Sequence, residues 1–87
     1  MVSWNEEKNQ ILRESRGICF EEAAIEIEDG RVLALIPHPT RTNQSIYIIR
    51  LKGYTHAVPF VLDDEGNVFL KTIYPSREFQ KQFGGIP

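Results

Sequence analysis

The feature that most constrains the fold is a single change of hydrophobic period, at the turn Asp29-Gly30. Before this turn apolar residues recur at helical spacing, in the series Phe20, Ala23, Ala24 and Ile27. After it, short apolar runs of strand length are separated by turn-forming residues. A chain with helices first and strands afterwards is typical of an α+β domain. We therefore predict an αα-hairpin followed by a sheet.

The first helix has two alternative start signals. Ser3 with Glu6 three residues later forms a capping box, whereas Asn5 would cap the helix slightly further along. The apolar stripe of this helix is predicted to contain Trp4, Ile11 and Leu12. Gly17 follows the last turn, where a left-handed residue is favoured, and a second helix is predicted over residues 20–27.

Four strands are predicted at residues 32–36, 46–51, 54–62 and 68–74. Their short connections favour a four-stranded antiparallel sheet. Pro59 removes a ladder donor, so it should lie at a bulge or face an unpaired side.

The end of the chain supplies one more element and a prediction about side-chain direction. Strict alternation along 68–74 puts Lys71 on the face of Phe69 and Ile73, and puts Tyr74 on the opposite face with Leu70. Ser76 is predicted to cap a short C-terminal helix over 77–83, and Gly84-Gly85 to close it.

Length and composition limit the class of protein. Eighty-seven residues form one domain, 1–87, with a core thin enough that a partner chain is expected. The longest uncharged apolar run is residues 32–36, and the start lacks a basic and apolar leader, so we expect a cytoplasmic protein without membrane contact. The single cysteine, Cys19, excludes an intramolecular disulfide and a Cys-based metal site.

The charges are distributed unevenly. Residues 1–30 hold three bases against eight acids, a balance of −5, and residues 31–87 hold seven bases against four acids, a balance of +3. Phosphate-loop, metal-ligand and nucleophile-elbow motifs are absent, so we expect no metal and no cofactor. The basic and hydrogen-bonding side chains on or beside the strands are Arg50, Lys52, His56, Lys71, Tyr74 and Arg77.

These residue types fit metal-independent RNA cleavage, in which a ribose 2′-OH attacks the adjacent phosphate. That reaction needs a base, an acid and cations that stabilise the phosphorane. We predict that Lys71 and Arg77 hold the phosphate and that His56 or Tyr74 transfers protons. The alternative for each residue is an ordinary surface charge or a half-buried strand residue.

Two segments carry a resemblance to a known family. Trp4-Asn5-Glu6-Glu7-Lys8-Asn9 and Arg16-Gly17-Ile18-Cys19-Phe20-Glu21-Glu22-Ala23 resemble the opening of the BrnT family of bacterial type II toxins, with Asn5 and Cys19 as departures. The resemblance implies a RelE-like fold, ribonuclease activity against RNA, and neutralisation by a cognate antitoxin, a small DNA-binding protein encoded beside the toxin. It also gives family counterparts to Lys8, Lys71 and Arg77. Lys8 is accordingly placed with Arg50 and Lys52 as a predicted RNA contact.

Two other functions remain open at this point. One is a non-catalytic binding or regulatory module of the same fold, such as a degenerate toxin retained for complex formation. The other is a small nucleic-acid-binding or immunity-type protein without enzymatic activity.

Overall fold

The computed structural model describes residues 1–83 and contains three helices and six strands within them. The helices are α1 (Glu6–Arg16), α2 (Phe20–Glu28) and α3 (Arg77–Phe83). The strands are β1 (Val2–Trp4), β2 (Ala34–Pro37), β3 (Ser45–Leu51), β4 (Tyr54–Leu62), β5 (Val68–Leu70) and β6 (Tyr74–Pro75). The predicted closing pair Gly84-Gly85 lies outside the described residues. None of the three helices in the described part is long and apolar enough to cross a bilayer.

Local capping signals determine where the helices begin and end. The side chain of Asn5 accepts a hydrogen bond of 2.9 Å from the backbone N–H of Lys8, so the second of the two predicted start signals is confirmed. Gly17 ends α1 at φ 67°, in the left-handed region that glycine adopts without a steric cost. Ser76 caps α3, because its hydroxyl accepts the backbone N–H of Phe79 at 3.2 Å.

The predicted four-stranded antiparallel sheet is wrong in two respects. Val2–Trp4 forms an additional strand, β1, which pairs in parallel with Val68–Leu70. Ser3 therefore lies in a strand and is not a helix cap. Trp4 stacks on Phe20 at 5.8 Å between ring centroids instead of extending the stripe of α1, while Ile11 is 57% exposed. The sheet is mixed, with the order β1-β5-β4-β3-β2 and with β6 also paired to β4.

The last predicted strand is interrupted by a bulge. Leu70 pairs with Phe60, and Tyr74 pairs with Ala57, so three residues on one side of the ladder oppose two residues of β4. We call residues 71–73 the bulge. Pro59 lies opposite it, and the Pro59 carbonyl accepts the Lys71 N–H at 2.8 Å. The first of the two alternatives predicted for Pro59, a position at a bulge, is therefore confirmed.

The two faces of the sheet are covered by different helices. On the hairpin face, α1 and α2 pack over a core of Leu12, Ile18, Phe20, Ala23, Ile49, Leu51, Val58, Phe60, Leu70 and Ile73. On the α3 face, α3 packs over a smaller cluster of Ile46, Ile48 and Ala57, with Phe79 and Phe83 half-buried against it. The sheet therefore separates a well-covered side from a side that is covered only in part.

Candidate active site

A cavity of about 300 Å³ opens on the α3 face, beyond the area that α3 covers. We call it the basic cavity, and its lining residues are His38, Arg41, Gln44, Pro59, Lys71, Thr72 and Tyr74. One wall is the 38–44 loop, which joins β2 to β3. The other wall is the bulge and the start of β6. Lys71 and Tyr74, which the sequence singled out, therefore lie in one cavity, together with two residues that the sequence analysis did not select, His38 and Arg41.

The bulge is the reason that Lys71 and Tyr74 share this cavity. Paired residues in adjacent strands point to the same face, so Tyr74 follows Ala57, whereas Leu70 follows Phe60. Ala57 and Phe60 are three positions apart on β4, and their side chains lie on opposite faces. The predicted alternation over residues 68–74 is wrong, because the extra residue reverses it before Tyr74.

The same residue count sends the last residue of the bulge to the hairpin face. Ile73 is completely buried there with Leu70, and not beside Lys71 as strict alternation predicted. The carbonyl of Ile73 accepts a hydrogen bond of 2.6 Å from the Arg16 guanidinium, at the end of α1. Lys71 stays on the α3 face with its ammonium nitrogen 5.6 Å from the centre of the Phe69 ring. The bulge is thus held from behind while its charged residue faces the cavity.

The opposite wall is a loop with its own hydrogen bonds. Nδ1 of His38 accepts the backbone N–H groups of Thr40 and Arg41, at 3.2 and 3.1 Å. The His38 N–H donates to the Gln44 carbonyl at 3.0 Å, and the Gln44 N–H donates to the Arg41 carbonyl at 3.2 Å. Because Nδ1 is an acceptor here, the proton of the neutral imidazole lies on Nε2.

The cations of the basic cavity differ from three cations elsewhere in the molecule that pair with glutamates. Arg13 is 2.9 Å from Glu21, Arg31 is 2.9 Å from Glu26, and Lys52 is 3.4 Å from Glu22. Within residues 1–83, neither Arg41 nor Lys71 has a carboxylate within 4.0 Å, and both side chains are exposed. The cavity thus presents two cations without carboxylate partners in the described chain, which suits an anionic ligand.

The remaining sequence-predicted residues lie outside the cavity lining. His56 is only 7% exposed and points to the hairpin face with its pairing partner Ile49, and its Nδ1–H donates to the Tyr54 carbonyl at 2.9 Å. Arg77 is exposed at the start of α3. Of the predicted RNA contacts, Lys8 is half-buried on α1 and Arg50 is half-buried on the α3 face opposite Thr55.

Lys52 lies furthest from the cavity along the sheet. It forms the two-residue turn between β3 and β4 with Gly53, and both residues have positive φ, 52° and 77°. The 38–44 loop enters the other end of β3, roughly 20 Å away at about 3.4 Å per residue. The structure therefore brings together Lys71 and Tyr74, and separates them from Lys52 and His56.

Metal and thiol chemistry find little support in the described chain. Residues 1–83 contain no cluster of three His, Cys, Asp or Glu side chains that could hold a metal ion. Burial raises the pKa of the Cys19 thiol, which makes it a poorer nucleophile. Cys19 instead begins α2, where its backbone N–H donates to Glu22 at 3.1 Å.

His38 and Arg41 were missed because their role depends on tertiary structure. The sequence shows only Pro37-His38-Pro39 and a polar turn that contains Arg41. Nothing in those residues indicates that the loop faces the bulge. A histidine held between two prolines is the one local signal that could have pointed to a rigid loop with a function.

Comparison with known proteins supports the architecture. No protein-family model matches this sequence, and no curated protein matches it. A similar solved structure is the crystal structure of the Brucella abortus ribonuclease toxin, BrnT, with 19% sequence identity and a TM-score of 0.62. The match covers 87% of this chain and 97% of that chain. The chain therefore has a BrnT-like fold, as the resemblance of its first residues predicted.

Proposed function

We propose that this protein is a toxin that cleaves RNA in the bacterial cytoplasm without a metal ion. The observation that carries the proposal is the basic cavity on a BrnT-like fold, whose lining contains Arg41, Lys71 and Tyr74. The cations Arg41 and Lys71, on opposite walls, can bind the negatively charged phosphate of a phosphodiester. The hydroxyl of Tyr74 can transfer a proton.

The reaction proposed is transfer within the RNA chain. The 2′-oxygen forms a bond to the adjacent phosphorus as its proton passes to solvent water. The bond from phosphorus to the 5′-oxygen breaks as that oxygen takes the proton of the Tyr74 hydroxyl, and water then returns a proton to Tyr74. Lys71 and Arg41 stabilise the charge on the phosphorane, and the Tyr74 hydroxyl is the cavity group that exchanges a proton. The products are a 2′,3′-cyclic phosphate and a 5′-hydroxyl.

This proposal assigns the phosphate-binding role and the proton-transfer role differently from the sequence-based prediction. Arg41 takes the phosphate-holding role given to Arg77, because Arg41 lines the cavity opposite Lys71. Tyr74 takes the proton-transfer role shared with His56, because His56 is buried on the other face of the sheet. Arg77 and Arg50, both near the same face, remain candidates for contacts with the RNA chain outside the cavity.

The experiment is cleavage of a defined RNA by the purified chain in the presence of EDTA. We expect cleavage to continue and to leave cyclic phosphate ends. Lys71→Ala should slow it about 10²–10³-fold, as loss of a group that stabilises transition-state charge does. Lys81→Ala is the matched control, because Lys81 is an exposed lysine on α3 outside the cavity lining.

Two results would contradict the proposal. Cleavage that stops in EDTA and returns with Mg²⁺ would replace it with metal-dependent chemistry. Equal activity of Lys71→Ala and Lys81→Ala, at equal folded content, would place the active site elsewhere.

A second function, RNA binding without cleavage, is favoured by one specific observation. Neither histidine in the chain offers an open imidazole base to the cavity, since His38 Nδ1 is occupied by backbone donors and His56 is buried. A degenerate toxin of this kind would bind RNA at the same cations and release no product. The cleavage assay separates the two functions directly, and binding of an uncleavable oligonucleotide confirms the second.

We also propose an antitoxin partner for this chain. Leu35 and Leu62 are 59% and 60% exposed, and with Phe60 they line a second cavity of about 300 Å³ next to the edge strand β2. A partner chain would remove this apolar surface from water. Co-expression with the neighbouring gene should yield a complex by size measurement, and its consistent failure to form one would remove this part of the proposal.

A further inference from the structure

His38 lines the basic cavity, but its imidazole is already engaged. Its Nδ1 accepts hydrogen bonds from Thr40 and Arg41, and the Thr40 hydroxyl oxygen lies 3.4 Å from the same atom. Pro37 and Pro39 flank the residue and fix the backbone on both sides. The ring is therefore held in one orientation by its own loop.

These bonds restrict the chemistry of the ring. An Nδ1 that accepts two N–H groups has no lone pair left for the proton of a ribose hydroxyl. The other nitrogen, Nε2, carries the proton of the neutral ring and can only donate. In this arrangement neither nitrogen can act as a general base.

We infer that His38 is a positioning residue that fixes Arg41 in the basic cavity, and not the base of the reaction. The inference rests on the proposed function. The backbone of Arg41 is held on both sides of its Cα, because its N–H donates to Nδ1 of His38 and its carbonyl accepts the Gln44 N–H. The backbone of Arg41 is thereby fixed on the wall opposite Lys71. The guanidinium therefore starts from a fixed backbone position, and the loop does not have to be ordered when the phosphate binds.

The charged and titratable groups facing His38 agree with this role. From the loop it faces Arg41, and from the bulge and β6 it faces Lys71 and Tyr74. Among residues 1–83, the cavity lining contains no carboxylate that would orient Nδ1–H or stabilise an imidazolium. The backbone N–H groups are thus the partners that determine the tautomer.

Three variants of His38 separate positioning from proton transfer. In His38→Asn the amide oxygen takes the place of Nδ1 and can accept the same two N–H groups. In His38→Gln the amide reaches the place of Nε2, and in His38→Ala both acceptors are lost. We expect His38→Asn to keep KM and kcat within about threefold of the original chain, while the Gln and Ala variants raise KM about 10–100-fold, as loss of a charge-assisted contact does.

A spectroscopic measurement tests the geometry apart from activity. The ¹⁵N spectrum of the imidazoles should show His38 with its proton on Nε2, and His56, as an internal reference, with its proton on Nδ1. Amide exchange at Arg41 should be slow in the original chain and in His38→Asn, and faster in His38→Ala.

Two results would overturn the positioning role of His38. A His38→Asn variant that binds uncleavable 2′-O-methyl RNA normally but loses kcat as fully as His38→Ala would overturn the inference, because that pattern identifies a proton-transfer group. The opposite tautomer at His38 would overturn it as well. If the original chain cleaves no RNA, the proposed cleavage fails, while the tautomer, the amide exchange and the oligonucleotide binding still decide the positioning role.

Discussion

The hairpin face and the α3 face of the same sheet are built in different ways. On the hairpin face, Phe20, Ile49 and Ile73 are completely buried, and three of the nearby cations pair with glutamates, namely Arg13, Arg31 and Lys52. On the α3 face, the buried cluster is small, α3 covers part of it, and the rest opens into the basic cavity. One face therefore contributes most of the stability, and the other leaves polar groups available for a ligand.

The charges follow the same division. Exposed ion pairs such as Arg31 with Glu26 contribute at most about 1 kcal/mol each, but they leave no free cation to attract a phosphate. Arg41 and Lys71 lack carboxylate partners among the described residues. Arg41 lies on a loop and Lys71 lies in the bulge, so both are outside the regular strand pairing. A small domain can thus keep its binding site separate from its main core.

The largest expected effect is on the free energy of unfolding, when one aromatic residue on each face of the sheet is replaced by alanine. Phe20→Ala should lower the free energy of unfolding by about 3–5 kcal/mol, because a fully buried ring leaves a cavity. Phe79→Ala, on the α3 face where the ring is half-buried, should cost less than about 2 kcal/mol. Urea denaturation followed by circular dichroism measures both, and equal losses would show that the two faces support the fold equally.

The next effect concerns a single hydroxyl in the basic cavity. Tyr74→Phe should slow RNA cleavage about 10²–10³-fold while stability changes by less than about 0.5 kcal/mol. Tyr47→Phe is the control on the hairpin face, where the ring stacks on Phe60 at 4.2 Å and burial raises the pKa of the phenol. Unchanged kcat in Tyr74→Phe would remove this hydroxyl from the reaction.

A third effect tests how the helical hairpin is joined. Asn9 is completely buried, accepts the Phe20 N–H at 2.7 Å, and donates to Glu21 at 2.8 Å. Asn9→Ala should cost about 2–3 kcal/mol at neutral pH, because it leaves a buried donor unpaired. Gln10→Ala is the control, since Gln10 is exposed on the same helix and bonds only Glu14 in the described chain.

This loss should also depend on pH. The Asn9 amide lowers the pKa of Glu21 below its ordinary value of 4.5, with the nearby Arg13 adding to the effect. A carboxyl with a lower pKa in the folded state stabilises the fold above 4.5, and that part is lost as the pH falls through the folded-state pKa. The difference in stability between the original chain and Asn9→Ala should therefore narrow as the pH falls below 4.5, by a small amount because Glu21 is half-exposed. A constant difference would show that Glu21 contributes nothing through Asn9.

The smallest effect is at the turn farthest from the cavity. Lys52→Asn should raise the free energy of unfolding by up to about 0.5 kcal/mol, because asparagine adopts a positive φ more readily than lysine does. Loss of the ion pair between Lys52 and Glu22 will reduce this gain. RNA cleavage should not change. Weaker RNA binding with a lower salt dependence would instead support the sequence-based assignment of Lys52 as an RNA contact.

The parts of the fold that local signals define were predictable from the sequence. Capping residues and helical periodicity predicted all three helices, because these signals act over only a few residues. The signals were Gly17, Ser76 and the repeat that begins at Phe20. β1 was missed because three residues cannot display a period, and because Val2 pairs with Val68 at the other end of the chain. Its formation depends on a contact that no local pattern encodes.

Two residues of the candidate site were predicted from their residue types, but the geometry that brings them together was not. Lys71 and Tyr74 were selected as residue types suited to RNA cleavage, and the structure places both in one cavity. Their shared face depends on one extra residue in the bulge, which alternation cannot reveal. His38 and Arg41 line the cavity because the 38–44 loop lies where the chain reverses from β2 into the antiparallel strand β3. Their position in the cavity therefore depends on the tertiary structure.

The hydrogen bond from Arg16 to the Ile73 carbonyl joins α1 to the back of the bulge. A chain that bound α1 and displaced its last turn would break this bond or pull Ile73 with it, and Lys71 lies two residues away. Binding at α1 and binding in the basic cavity would then share one coupling free energy, and each would change the affinity of the other by the same factor. An inhibitor bound at α1 could therefore act from the far side of the sheet, without covering a residue that lines the basic cavity.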